Sequence, residues 1–342
     1  MTDVKLSFCI PTYNRAAYIE QTIESIADQI TELRLTDSVE ICISDNASID
    51  ETDQLVYHFK QRYPSIKVIY SKNDYNIGAD LNYLRAVELA SGEYCWFMGS
   101  DDVLKPNSLN TIFDKLKVKS SIYLCNRTFC DSSLNPISDQ KWLKSYVRDE
   151  VFKIYDRKSF ANYVDQCTSL GGLFSYLSSI IFKRSKWNSI PYDERFTGTA
   201  YAHVFKLFQF LIDGCTLNYI SSPLVYCRGD NDSFLGKSLA KRVNLDLYGY
   251  LLLANTLFSK EEIIHSSLLK VLNSECNNAY FYSIRSTLKV RCFSEKEDWR
   301  NLKSQYESIC GDNLKFLFVD KIPFALLFLF RMCFVLKRII YV

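Results

Sequence analysis

Short apolar runs alternate with amphipathic stretches along the first 126 residues. Leu6 to Ile10 is an apolar run of strand length. Ala17 to Ile30 then carries Ile19, Ile23, Ile26 and Ile30 at the repeat of one helix face. The alternation continues, predicting strands at Glu40–Ser44, Lys67–Ser71, Tyr94–Met98 and Ser121–Cys125. It predicts helices at Glu51–Tyr63, Asp80–Ala90 and Asn107–Lys117, with Ser91-Gly92 as the stop of the third. Such a pattern predicts an α/β fold, a Rossmann-like parallel sheet with helices on both faces. In these sheets ligands bind beyond the carboxyl ends of the strands. Four polar clusters lie at those places. They are Pro11-Thr12-Tyr13-Asn14-Arg15, Asp45-Asn46-Ala47-Ser48, Asn76-Ile77-Gly78-Ala79-Asp80 and Gly99-Ser100-Asp101-Asp102.

The second half is less regular. Residues 127 to 165 have few long apolar runs and read as irregular, with some hairpin character. Gly171-Gly172 is a turn leading into the apolar stretch Leu177 to Phe182. Ala202 to Ile212 reads as a helix, Leu217 to Ile220 and Pro223 to Cys227 as strands, and Leu239 to Ile309 as mainly helical.

Composition narrows the classes. With 48% hydrophobic residues and a net charge of +2, the chain is neither disordered nor a basic nucleic-acid binder, and no nucleic-acid partner is expected. Twelve cysteines include no CxxC pair, and those inside strand-like runs read as small buried hydrophobes. Met1-Thr-Asp-Val-Lys enters the first strand without a signal-like apolar segment, so a cytoplasmic location is expected. With only three histidines, a divalent metal would rest on carboxylates, which favours Mg2+ or Mn2+. There is no GxGxxG after the first strand and no GxxxxGK[ST], which argues against nicotinamide and P-loop enzymes.

Two adjacent acids closing a buried strand, Asp101-Asp102, cannot both pack inward unpaired. A hard cation bound by one carboxylate and by substrate phosphates would relieve their repulsion. The competing reading is a helix N-cap before Val103. Asp45 is placed to accept from a base or ribose, or to close an Asx turn. Asp80 either faces the same rim or caps the helix that follows Gly78.

Residues 5 to 126 resemble the family 2 glycosyltransferases. The likeness is carried by Ser7-Phe8-Cys9-Ile10-Pro11-Thr12-Tyr13-Asn14-Arg15, Ser44-Asp45-Asn46-Ala47-Ser48-Ile49-Asp50-Glu51-Thr52, Asn76-Ile77-Gly78 and Gly99-Ser100-Asp101-Asp102. The resemblance implies a GT-A fold and a nucleotide-sugar donor. It places Pro11, Thr12, Tyr13 and Asp45 around the base and Asp80 near the nucleoside. Asn14, Arg15, Asn76, Gly78 and Ser100 complete the donor site. Asp101 becomes the metal ligand, with Asp102 in the catalytic set. The family's Asp-x-Asp has Gly99 as its first position here.

Gly172 to Lys183 and Phe196 to His203 are similar to bacterial O-antigen transferases of the abequosyltransferase-like group. That group implies a CDP-linked dideoxysugar donor and a lipid-linked oligosaccharide acceptor. Candidates for the general base are His203, at the start of the helix to Ile212, and then Asp193 and Glu194. Packing alone would equally account for His203, and a turn for Asp193. Arg228-Gly-Asp230 resembles a family loop bearing Arg and then His. Arg228 would clamp diphosphate and Asp230 would complete the metal shell, unless the two form a charged surface turn.

The expected organisation is a nucleotide-sugar half (1–126), an acceptor half (127–235), a helical region (236–314) and a tail (315–342). The tail is rich in Phe, Leu and Ile and has a net charge of +4, leaving −2 for residues 1 to 314. Its uninterrupted apolar run is too short to cross a bilayer. Arg331, Lys337 and Arg338 suit a helix lying on the anionic inner leaflet, so peripheral membrane association is expected, or else packing on the core or in an oligomer. Two other functions stay open at this point: a UDP- or GDP-sugar transferase with another acceptor, and a catalytically silent nucleotide-binding adaptor.

Overall fold

Seven consecutive residues, Leu6–Thr12, form β1 and are all buried. A strand with no face for water belongs in the middle of a covered sheet. α1 (Ala16–Glu32) turns Ile19, Ile23, Ile26 and Ile30 into the core, on the face their spacing predicts. The alternation continues through β2 (Val39–Asp45), α2 (Thr52–Arg62), β3 (Lys67–Lys72), α3 (Ala79–Glu88) and β4 (Tyr94–Phe97). These strands lie parallel in the order β3-β2-β1-β4. β3 is the edge, half exposed and ended by a lysine on each side, which discourages pairing with another chain. The computed structural model describes residues 4–232, 234, 239–278 and 296–310, with positions 321, 323, 325 and 326.

Two local expectations give way here. α3 ends at Glu88, before Gly92. Gly92 is needed for close approach instead: a Cβ there would lie 2.6 Å from Ser7 Oγ, to which its N–H donates. Asp102 caps no helix, because Val103–Leu104 forms the short strand β5 and α4 (Ser108–Leu116) begins after Asn107.

The second half completes the same sheet. β6 (Ile122–Cys130) turns into β7 (Pro136–Gln140) as an antiparallel hairpin, and β8 (Glu150–Ile154) pairs antiparallel with β10 (Cys215–Cys227). β7 and β8 are largely exposed, so their few apolar residues give no periodic signal. α5 (Arg157–Val164) opens on a capping box between Asp156 and Ser159. The two C-terminal strand predictions merge into β10, whose register with β6 shifts around Pro223.

β9 (Ile180–Lys183) is inserted antiparallel between β4 and β6. The sheet is therefore mixed, and β6 is not the neighbour of β4. α6 (Arg184–Ser189) and α7 (Ala202–Ile212) follow β9, and α7 buries nine of its eleven residues. Cys9, Cys42, Cys95 and Cys125 are free and buried in the strands.

Residues to Asn231 form one compact unit and those from Asp232 another. The second contains α8 (Leu239–Leu257), α9 (Ile263–Asn278) and the helix Lys296–Cys310, with Tyr250, Leu253, Leu268, Leu302 and Tyr306 buried. No helix among the described residues is long and apolar enough to cross a membrane. Apart from four isolated positions, the tail expected to associate with a membrane lies outside the described residues.

Candidate active site

The strand ends of the first unit converge as the parallel order requires. After β1, Tyr13 is 44% exposed at the rim. Asn14 takes a left-handed conformation (φ 52°), its N–H donating to Ser48 Oγ and its Oδ1 accepting from Ile49 N. The β1 and β2 loops are thereby stitched together. Asn46 does the same for the third loop, donating to Asn76 Oδ1 (2.8 Å) and accepting from Ile77 N. Gly78, at φ 85° with open space where a Cβ would lie, starts α3. Pro11, Thr12 and Ser100 are buried beneath these loops. Thr12 Oγ1 has no hydrogen-bond partner among the described residues.

The acid pair closes β4. Asp102 is 5% exposed, and its Oδ2 accepts from Ser178 Oγ (2.5 Å) and Tyr176 OH (2.7 Å). Burial, and then the charge of Asp101, push its pKa up to about 7. Asp101 is more open, its side chain 22% exposed. Its Oδ2 accepts from Asn231 Nδ2 (2.6 Å), and Arg15 stands 3.9 Å away, itself bonded to Asn231 Oδ1. Burial raises the pKa of Asp101 against the pull of Arg15 and Asn231.

The pair also explains the glycine where the family has an acid. A Cβ on Gly99 would lie 2.8 Å from Asp102 Oδ2 and 3.1 Å from Asp101 Oδ1. Both carboxylates fold back over position 99 and fill the space of a side chain. Among the described residues no group of three or more His, Cys, Asp or Glu could hold a metal. A cation of the Mg2+ or Mn2+ kind held mainly by oxygens of a ligand would need one open carboxylate, and Asp101 is the more open of the pair.

Several expected roles are corrected by position. Asp45 is fully buried, and its oxygens accept from Ser48 N and Tyr70 OH, so the Asx-turn reading holds and the carboxylate faces no open space. Asp80 does not cap α3, and its carboxylate is turned into the protein. It is 2% exposed and accepts from the N–H groups of Gly198, Ala200 and Ala202, gathering the loop that starts α7. His203 is 1% exposed, with Tyr83 and Phe97 edge-on to its ring and Nε2 against Phe174 O. Burial lowers its pKa to about 4, and no acceptor hydroxyl can reach it.

Asp193 is clasped by Arg195 and caps the turn Glu194–Phe196, with its pKa lowered by that partner, which is the opposite of what a base requires. Arg228 is 9% exposed and bonded to Asp101 O, Ser132 O and Gln21 Oε1, so it anchors the acid loop and does not reach for a ligand. Asp230 is exposed at φ 57°, and the residue that reaches Asp101 is Asn231, one position further on. Sequence reading missed Asn231 by one residue in the RGDND cluster. It missed Ser178 and Tyr176 because they sit unmarked ahead of β9.

The fold is thus an α/β unit with a mixed sheet whose loops and acid pair gather at one rim. The sequence model of glycosyl transferase family 2 matches residues 7–180. The chain is 40% identical over 313 residues to the abequosyltransferase RfbV of Salmonella typhimurium, covering 90% of this chain and 91% of that one. Among solved structures, S. aureus TarS 1–349 in complex with UDP-GlcNAc aligns at a TM-score of 0.62 and 18% identity, over 90% of this chain and 82% of that one. The mannosyltransferase PcManGT of Pyrobaculum calidifontis, in complex with GDP-Man and Mn2+, aligns at 0.53 and 14%, over 97% and 80%. At these identities the structures speak to the fold alone. The chain belongs to glycosyl transferase family 2; it is a glycosyltransferase of GT-A fold that resembles the O-antigen abequosyltransferases.

Proposed function

We propose that the enzyme moves a sugar from a nucleotide-sugar donor to a lipid-linked oligosaccharide in O-antigen assembly, and that the donor is a CDP-linked dideoxyhexose such as abequose. The reading rests on the acid pair at the end of β4, where Asp101 alone of the two keeps an open carboxylate. The likeness to the Salmonella abequosyltransferase, which spans both halves of the sheet, supports the choice of sugar.

In this reading the nucleotide lies over the β1 and β2 loops, with exposed Tyr13 beside it and the Asn14–Ser48 and Asn46–Asn76 bonds keeping the loops in shape. Asp101 would hold the Mg2+ or Mn2+, which supplies positive charge to the departing diphosphate. Asn231 bonds one oxygen of the Asp101 carboxylate, and Arg15 stands within ion-pair distance of the same oxygen. Asp102, held by Tyr176 and Ser178, keeps the turn closed beneath it. The basic tail would bring the enzyme to the inner leaflet, where a lipid-linked acceptor resides.

Titration calorimetry of CDP, UDP and GDP, each with and without Mn2+, tests the donor. Tightest binding of CDP, dependent on Mn2+ and lost in Asp101→Ala, is expected. A preference for UDP or GDP would remove the abequose reading, and no nucleotide binding would remove the transferase site. Liposome flotation with residues 315 to 342 deleted tests the location; undiminished binding would refute the role of the tail.

A further inference from the structure

With Arg228 bound to three protein acceptors, the rim needs another cation for a phosphate group, and one is present that no sequence motif marks. Trp96 of β4 and Tyr123 of β6 both pair with Ile181 of β9, so they stand level in the sheet. β4 ends at Phe97 and leads into the acid pair, whereas β6 runs on to Cys130, and Tyr176 ties Arg127 of β6 to Asp102 beyond β4.

Its guanidinium is fixed in place. Its Cζ lies 4.3 Å from the ring centre of Tyr176 and 5.0 Å from that of Trp142. Nε donates to Gln140 Oε1 at 2.6 Å and Nη1 to Cys227 Sγ at 3.2 Å. Tyr176 is also the residue whose hydroxyl donates to Asp102. Trp142 is fixed from behind: a Cβ on Gly171 would lie 2.0 Å from its ring, and its Nε1 donates to Cys125 O.

Arg127 is half-buried, yet among the described residues it forms no ion pair, and its Nη2 makes no hydrogen bond. Asp102 Oδ2 accepts from Tyr176 and Ser178, and Asp139 accepts from Thr128, so neither is its bonded counter-ion. Asp102 is near enough to feel the charge of Arg127 but is not bonded to it, and holding a guanidinium out of water without a bonded carboxylate is unfavourable even with two aromatic faces against it. The planar fork, with one edge uncommitted, is the shape that matches phosphate oxygens.

We propose that Arg127, clamped between Trp142 and Tyr176, binds a phosphate oxygen of a diphosphate-bearing substrate beside Asp101–Asp102. The inference rests on the transferase reading above. The diphosphate belongs either to the nucleotide donor or to a polyprenyl-linked acceptor, and the two sources separate experimentally. Full-length wild type, Arg127→Met and Arg127→Lys are titrated with CDP plus Mn2+, and separately with a polyprenyl diphosphate in detergent micelles, with the polyprenyl alcohol as the uncharged control.

Arg127→Met is expected to weaken one diphosphate about tenfold or more, the loss of one charge-assisted contact. Arg127→Lys should recover only part of that, because an ammonium cannot form the fork. Weaker CDP assigns Arg127 to the donor. Weaker polyprenyl diphosphate with unchanged alcohol assigns it to the acceptor. If Arg127→Met does not fold, Arg127→Lys alone decides, and must bind one diphosphate at least about threefold more weakly. Both diphosphates binding a folded variant as tightly as wild type would overturn the proposal while leaving the transferase reading intact. Failure of wild type to bind either would remove both.

Discussion

His203 offers the sharpest separation between packing and catalysis. Its Nε2–H donates to Phe174 O, which leaves Nδ1 as the unprotonated nitrogen, buried without a hydrogen-bond partner. Protonating Nδ1 would place a charge among Tyr83 and Phe97 with no acceptor, which is why burial lowers the pKa to about 4. In the unfolded chain the same group titrates near 6.5. Between those values the unfolded state binds a proton that the native state refuses. Stability from this group is therefore complete above about pH 6.5 and falls as the pH drops toward 4, by about 3 kcal/mol in all.

The perturbation is His203→Gln, which can still donate to Phe174 O but does not titrate. Urea unfolding followed by tryptophan fluorescence reports mainly the sheet unit, because Trp96, Trp142 and Trp187 lie there and Trp299 does not. The wild-type minus variant difference in unfolding free energy should shrink by about 3 kcal/mol between pH 7.5 and pH 4. Transfer at pH 7.5 should stay within about threefold of wild type, whereas loss of a general base costs about a hundredfold or more. A difference that does not change with pH would refute the buried neutral imidazole. A hundredfold loss of turnover in a folded variant would return His203 to the catalytic set.

Asp80→Ala strips the acceptor from three backbone N–H groups around α7 and should lower the melting temperature by roughly 10 °C, read by calorimetry. Gly99→Asp, which restores the acid the family usually has, should reduce Mn2+-dependent CDP affinity and destabilise the fold by about 1–3 kcal/mol; improved binding would contradict the crowding over position 99. Gly171→Ala drives a methyl into the Trp142 ring and should cost about 1–3 kcal/mol in urea unfolding, with substrate affinity falling in step with Arg127→Lys.

What the residues disclosed by themselves was whatever depends on periodicity. The isoleucines of α1, the all-apolar β1 and the placing of polar loops after each parallel strand need only local spacing and burial. The acid pair was legible for the same reason, since two charges ending a buried strand demand an explanation. Helix α7 was predicted to its last residue, yet the residue on it chosen for chemistry proved to be core. A helix pattern says which residues share a face but does not say whether that face meets solvent or another helix.

Tertiary structure decided the partners. β9 comes from the second half and inserts between β4 and β6, and only that insertion brings Ser178 and Tyr176 onto Asp102. Asp80 and Asp45 were visible as acids at strand and helix ends. Which way each carboxylate turns depends on the N–H groups that loops more than a hundred residues away, or a neighbouring strand, bring to it. Arg127 carries no motif, and what links it to the acids is Tyr176, which lies against its guanidinium and donates to Asp102. Sequence thus determined the family, the parallel β1–β4 part of the sheet and the rim. The choice among similar polar side chains fell to long-range packing, because a carboxylate or guanidinium is structural or available according to the donors and acceptors that folding places around it.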